Sequence, residues 1–399
     1  MKIATSHSCQ PDTLSAVQES CRQLRHRLAQ DPDILFVHWS VLYPGEELRK
    51  LLADQFPDCR IHGASSCLGG MTEEGVFSQD GRGMVLMGLA DPQGAYGVAG
   101  GKLGANTRES AADIVLEAIN NAGRPGEMPD LVRISSAPGY EDDIITGIET
   151  VLGPETPIIG GSAADNQVRG EWELITHRQH LRQGLVITVF YPSTTLSFAF
   201  HNGYSPTQAK GRITKGAGRV IEQIDHQPAA LVYNDWTGGI ISSALENQGS
   251  VLADTTLYPL GRVVGEIGGV PYFTLAHPDR VTAGQGLSLF ADIKEGDEII
   301  LMRGTVETLI SRAGRVAQAA LQANRLTPEE ISGAMVIYCA GCMLTVKDRI
   351  DEVSQSLNSA LGGKPFLGAF TFGEQGCFPS GENRHANLMI SAIVFGPTR

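Results

Sequence analysis

Three stretches of the chain set glycine beside residues able to hold a ligand. Ile158-Ile159-Gly160-Gly161-Ser162-Ala163 runs into Asp165-Asn166. Phe366-Leu367-Gly368-Ala369-Phe370-Thr371-Phe372 runs into Gly373-Glu374, and Ile61-His62-Gly63-Ala64 runs into Ser65-Ser66. Glycine lets backbone approach a ligand closely, and a carboxylate at a strand end can fix a cation or an N–H donor. Asp165 and Asn166 could receive an amino group and a carboxylate of a ligand. Residues of these types also form turns by bonding to their own backbone. Glu374 could hold a cationic group, or stand as a plain surface carboxylate after a strand. Phe370 or Phe372 could line a pocket, or either could pack in the core.

Cys339-Ala340-Gly341-Cys342 adds a CxxC, which in a cytosolic protein can be redox-active or half of a metal site. Cys9, Cys67 and Cys377 lie at or near other strand ends, so several thiols would meet if the corners converge. Soft thiolates would then suit zinc, copper(I) or an iron–sulfur cluster. Against this stands the habit of free cysteine to be simply buried. The ten histidines show no HxxxH or HxH spacing. His62 precedes the first corner and His385 lies near the third. Lys215-Gly216-Ala217-Gly218 lacks the Gly-Lys-Ser/Thr of a P-loop, and Ser65 and Ser66 lie outside a Gly-x-Ser-x-Gly elbow.

The elements that would position these corners repeat in pattern. Ile34–Trp39 reads as a strand, Gly45 onward as a helix with Leu48, Leu51, Leu52 and Phe56 on one face, and Arg60–Ala64 as the strand carrying Gly63. Gly83–Leu89 closes that unit. Leu131–Ser136, the helix Asp142–Leu152, Thr156–Gly161 and Leu185–Tyr191 repeat the order. Ala334–Cys339, a helix over Thr345–Leu361, Pro365–Phe370 and Leu388–Phe395 repeat it again. A strand, helix and strand in succession favours neighbouring parallel strands, with the closing strand antiparallel. The fold class expected is therefore α/β: two domains of mixed sheets flanked by helices. Between the second and third units the pattern changes, with turns at Asp225-His226-Gln227-Pro228, His277-Pro278-Asp279 and Glu295-Gly296-Asp297. The boundary is placed near 203–211, giving domains 1–205 and 206–399, the third repeat occupying 333–396.

Composition limits the function classes. A chain of 399 residues exceeds one ordinary core. Its net charge of −13 argues against binding nucleic acid or anionic membrane. No run of about 18 apolar residues predicts a membrane span, and the N-terminus lacks a signal-peptide core. Seven dispersed cysteines favour a reducing compartment over a disulfide framework, so a cytoplasmic location is expected.

In sequence order, His62–Ser66, Pro157–Asn166, Val220–Ala229 and Phe366–Glu374 with His385-Ala386-Asn387 resemble the motifs of FIST sensory domains, N-terminal and C-terminal, across nearly the whole chain. The resemblance implies an intracellular signal-input module that binds a small ligand, amino acids having been proposed, and acts through a partner such as a histidine kinase. Some members are haem proteins that sense nitric oxide, which makes haem a candidate cofactor beside a thiolate-bound metal at Cys339 and Cys342. Cys342 stands where the family tends to have the arginine of Cys-x-Gly-Arg, and Ser66-Cys67-Leu68-Gly69-Gly70 lacks its glycine–glutamate pair. Corners and resemblance together imply a shared cleft. Its candidate contacts are Gly63, Ser65, Ser66, Gly161, Ser162, Asp165, Asn166, Cys339, Phe370, Thr371, Glu374 and Asn387.

Overall fold

The computed structural model describes residues 1–399, the Ile267 side chain excepted. Three units follow one order: outer strand, helix, two parallel strands with a helical link, a short hairpin and a returning strand. The parallel pairs are Ile34–Trp39 with Arg60–Ser65, Leu131–Ser136 with Ile158–Ser162, and Gly333–Cys339 with Phe366–Thr371. The returning strands Met84–Ala90, Gly184–Tyr191 and Ile390–Thr398 pair antiparallel with the first strand of each pair. They also pair with the outer strands Lys2–Ser8, Ala95–Lys102 and Thr194–His201. The protein is thus α/β, with mixed sheets flanked by helices.

Local sequence explains these elements. Ile34–Trp39 is buried along its whole length, which is why it reads as an unbroken apolar run and not an alternation. The helix Thr13–Leu28 starts where Asp12 accepts the Ser15 N–H (2.9 Å), and it buries Val17, Cys21, Leu24 and Leu28 along one stripe. Ala95–Lys102 and the helix Thr107–Asn121 go beyond the pattern read from sequence. That strand carries three glycines and little β-propensity. A Cβ on Gly97 would lie 1.8 Å from the Ala118 carbonyl oxygen, so close helix packing excludes the side chains that usually mark a strand. The helix expected over Thr345–Leu361 is broken. Ala340–Thr345 ends at Val346, whose backbone leaves the helical region (φ −105°, ψ 17°). A 3₁₀ turn at Lys347–Arg349 then leads to Ile350–Ala360.

The hairpins do not stay at home. Leu174–Thr176 of the second unit pairs with Arg60–Ser65 of the first. Glu374–Cys377 of the third pairs with Ile158–Ser162 of the second, and Gly70–Thr72 of the first pairs with Phe366–Thr371 of the third. Each unit completes the preceding unit's sheet, cyclically. The interior shared by the three sheets holds Ile34, Phe36, Leu131, Ile159, Met335 and Leu367. A fourth sheet of eight strands is inserted between Thr194–His201 and the helix Val306–Ala323. It has its own core around Ile221, Tyr233, Val281, Leu287 and Ile299.

The three glycine corners meet. The Ala164 N–H donates to Ser65 O (3.0 Å), the Phe372 N–H to Ser162 O (3.1 Å) and the Cys67 N–H to Phe370 O (3.0 Å). Ser66 Oγ adds a bond to this ring by accepting the buried Phe370 N–H (2.8 Å). Ser66→Ala leaves that N–H without its partner, and the expected loss is about 1–3 kcal/mol of unfolding free energy. A urea titration checks it; an unchanged midpoint would show that the contact adds nothing.

Candidate functional site

The corners are interlocked, not open. A Cβ on Gly161 would lie 2.5 Å from Thr371 Cγ2, and Gly63 and Gly368 face Ile175 and Met71 just as closely. Space opens beside the third corner, in a cavity of about 380 Å³ between the third unit and the inserted sheet. The third unit supplies Cys339, Gly341, Leu344, Thr345, Thr371, Phe372 and Asn387. The insert supplies Ser250, Leu252, Ala253, Thr256, His277 and Phe290, and Val168 comes from the loop after the second corner.

Strand ends place these groups. Cys339 and Thr371 are register partners at the last step of a parallel pair. Asn387 follows the exchanged hairpin and stitches the insert down: its N–H donates to Leu275 O (2.9 Å) and its Oδ1 accepts the His277 N–H (3.0 Å). The His277 Nε2 donates to Leu252 O (3.1 Å), and burial pushes its pKa down to about 4. The ring is therefore neutral at pH 7, with its proton on Nε2 and a lone pair on Nδ1.

Behind the floor lies a buried polar cluster. Glu374 Oε1 takes the Thr371 hydroxyl (2.7 Å) and Oε2 the Met389 N–H (3.0 Å). Burial, with Cys339 beside it, pushes this carboxyl well above the usual range despite those bonds and Arg312. Cys342 Sγ sits 3.6 Å from the Tyr204 hydroxyl, which in turn donates to Thr256 O (2.9 Å). Burial, then the Cys342 thiol, pushes Cys339 well up. For Cys342 burial is outweighed by the Cys339 hydrogen bond, Arg312 and Tyr204, which hold it below its ordinary value. Cys342 is thus the thiol of the pair that ionises first. Arg312 Nη2 donates to His201 O (3.0 Å) and Leu388 O (3.2 Å).

Of the residues singled out from sequence, Cys339, Thr371, Phe372 and Asn387 line the cavity. Glu374 is fully buried behind it, and Phe370 packs edge-on against Tyr338 in the core. Asp165 accepts the N–H groups of Gln167, Arg169 and Glu171 (2.8, 2.9 and 2.9 Å), forming a turn. Asn166 accepts the Leu68 N–H (2.8 Å) and donates to Gly81 O (3.0 Å). Ser65 Oγ accepts the Glu173 N–H, and Ser162 Oγ donates to Glu141 (both 2.8 Å). Leu252, Thr256 and Phe290 carried no sequence signal, and His277 read only as part of a turn.

The cofactors raised by sequence meet a poor donor set. His62 has both ring nitrogens bonded, to Thr188 and Ser135 (2.7 and 2.9 Å), and His385 bonds Gln375 and Phe290 O (3.2 and 3.3 Å). Neither reaches the cavity, and its lining includes no Lys or Arg to meet haem propionates. Among the described residues no three His, Cys, Asp or Glu side chains gather as a metal-binding group. Cys339 and Cys342 alone fall short of a four-ligand thiolate site.

A FIST N domain matches residues 33–227 and a FIST C domain matches residues 229–377. The chain belongs to the FIST family. FIST domains are associated with sensory signal-transduction proteins that bind small ligands. An uncharacterized protein of Methanocaldococcus jannaschii is 30% identical over 166 residues, covering 39% of this chain and 31% of that protein. The chain thus matches about a third of that relative's length. Cyanuric acid hydrolase from A. caulinodans superposes with a TM-score of 0.41 at 10% identity, covering 100% of this chain and 99% of the other. Thermotoga maritima PurLQS gives 0.22 at 9% identity, covering 76% and 73%. Among the described residues of this FIST protein, no helix is long and apolar enough to cross a membrane.

The insert is also latched to the second unit. Arg219 of the insert reaches buried Glu141 (2.6 Å) and Asp292 (2.9 Å). Burial raises the Glu141 carboxyl, but His385, Arg219 and Ser162 outweigh it and hold it at about 2. That stabilisation is complete above the ordinary value of 4.5 and is lost as pH falls toward 2. Glu141→Gln is expected to cost about 3–5 kcal/mol at pH 7, with the gap to wild type closing in acid. Glu374, raised instead of lowered, behaves oppositely. Wild type should lose about 1.4 kcal/mol per pH unit relative to Glu374→Gln as pH climbs above 4.5 toward the folded value. Urea unfolding across pH reads both; parallel curves for either variant would contradict the assignment.

Proposed function

We propose that this FIST protein is a cytoplasmic sensor whose small ligand binds in the cavity between the third unit and the insert. One observation carries the reading: the walls come from two parts of the chain, with Cys339, Thr371 and Asn387 on one side and Leu252, His277 and Phe290 on the other. A ligand touching both sides favours the arrangement in which they face each other, and differential affinity of that kind is what a signal needs. Thr371, Cys339 and Asn387 contact the ligand. Gly63, Ser65, Ser66, Gly161, Ser162, Asp165 and Asn166 hold the third corner in place from behind. The output passes to a separate signalling protein, a histidine kinase being one candidate from the family. The net charge of −13 supports a protein partner over nucleic acid.

A ligand bound here protects the folded state by mass action, about 2.7 kcal/mol at a hundred times Kd. A thermal-shift screen of metabolites on wild type and Leu344→Trp tests the location. Leu344 is 44% exposed at the cavity rim, so the larger side chain should close the mouth without disturbing the core. The expected hit stabilises wild type alone, and slows hydrogen exchange at Leu252–Thr255. Equal stabilisation of both proteins would remove the cavity from the reading, and unchanged exchange would remove the signalling step.

A further inference from the structure

The hydrogen-bonding state of the cavity wall restricts what can bind there. Its hydroxyl protons are already engaged: Ser250 donates to Asp279 O (3.2 Å), Thr256 to Leu252 O (3.2 Å), Thr345 to Gly341 O (2.9 Å) and Thr371 to Glu374 (2.7 Å). The Asn387 carbonyl is held by the His277 N–H (3.0 Å). The side-chain donor left for a ligand is the Asn387 amide, itself 3.5 Å from Phe290 O, because the Cys339 thiol proton is committed to Cys342. Acceptors are more plentiful: the hydroxyl lone pairs and His277 Nδ1, which makes no hydrogen bond among the described residues because the ring proton is committed to Leu252 O.

Charge points the same way. Among the described residues, no Asp, Glu, Lys or Arg is part of the lining. The neighbouring Glu374 is fully buried behind the wall and engaged by Thr371 and Met389. Arg312 is almost fully buried there, its Nη2 bonded to His201 and Leu388 while Nε and Nη1 have no partner among the described residues; neither side chain is part of the lining. The remaining surface is Leu252, Ala253, Phe290, Leu344 and Phe372 with Val168. A zwitterion or carboxylate entering this space would leave its hydration behind and find no countercharge, which is costly. An apolar body with one N–H or O–H group would lose little and gain a bond to His277.

We infer that the cavity selects a neutral, mainly apolar small molecule that donates a hydrogen bond to His277 Nδ1, and rejects amino acids and other charged metabolites. This deepens the sensor reading and rests on it for biological meaning, while the chemistry of the site stands on the lining alone. Indole, 1-methylindole, indole-3-acetate and L-tryptophan share one ring system and differ in donor, charge and bulk. Indole-3-acetamide, neutral and the size of the acetate, separates charge from bulk: it should bind more tightly than the acetate. Titration calorimetry on the full chain should show indole binding most tightly. 1-Methylindole should bind about threefold to tenfold more weakly, the worth of one hydrogen bond. The two charged compounds should be weaker than 1-methylindole. In His277→Phe the preference for indole over 1-methylindole should vanish, and in Leu344→Trp all binding at this site should be lost.

Tryptophan or indole-3-acetate binding as tightly as indole, with the binding lost in Leu344→Trp, overturns the neutral-ligand inference and leaves the sensor reading standing. Failure of indole to bind wild type at millimolar concentration overturns it as well. Equal affinity for indole and 1-methylindole overturns the role given to His277. Indole binding as expected, with unchanged hydrogen exchange at Leu252–Thr255, keeps the ligand class and removes the sensor.

Discussion

Three backbone hydrogen bonds, from Ala164 to Ser65, Phe372 to Ser162 and Cys67 to Phe370, join the corners into a closed ring. The rest of the molecule follows from that closure. Bringing three strand ends so near leaves no room for Cβ atoms, hence the glycines at 63, 161 and 368. It also turns each following hairpin onto a neighbouring sheet, so no unit has a complete sheet of its own. Backbone polar groups that would be orphaned at the strand ends are satisfied across units instead of within them.

The corners also differ in what stands at the ends of their parallel pairs. The register places Trp39, Ser136 and Cys339 at equivalent last steps of their parallel pairs. Trp39 is a large, fully buried indole packed into the first unit's core. Ser136 is buried at the second corner. At the third, the small thiol of Cys339 faces an inserted sheet that the other units lack. The site arises where a repeated scaffold is interrupted: the insert has a core of its own around Ile221 and Tyr233, and it also packs Phe273, Leu275 and Met302 into the core of the third unit.

Much of the scaffold was legible. Strands buried on both faces appear as unbroken apolar runs, and the strand, helix, strand order dictated parallel pairing. Ala95–Lys102 was silent because its glycines serve the helix above it. The hairpin exchange could not be read because Leu174–Thr176 carries no mark of the strand it will join. At the site, the corner pattern led to Thr371, the CxxC to Cys339 and the family resemblance to Asn387, and all three lie at the wall. The same pattern pointed to Asp165, Asn166 and Glu374, whose oxygens are taken up by backbone and hydroxyl donors. A polar residue beside a glycine corner can face a ligand or satisfy the corner itself, and only geometry separates the two. His277 lies between two strands of the insert and Phe290 just after another, 91 and 78 residues before Gly368, without spacing that ties them to the corners.

The exchanged hairpins impose an order on biosynthesis. The strand Arg60–Ser65 has a bare edge until Leu174–Thr176 has been made. Gly70–Thr72, by contrast, is made early and waits for Phe366–Thr371; Ser66 and Phe370 lie 304 residues apart in the chain. Pairings of such sequence separation form slowly, and unpaired strand edges attract other chains in the meantime. The emerging polypeptide therefore carries an unsatisfied β-edge for most of its translation. The chain is thus open to edge-to-edge association before its last unit is made, whatever the stability of the finished fold.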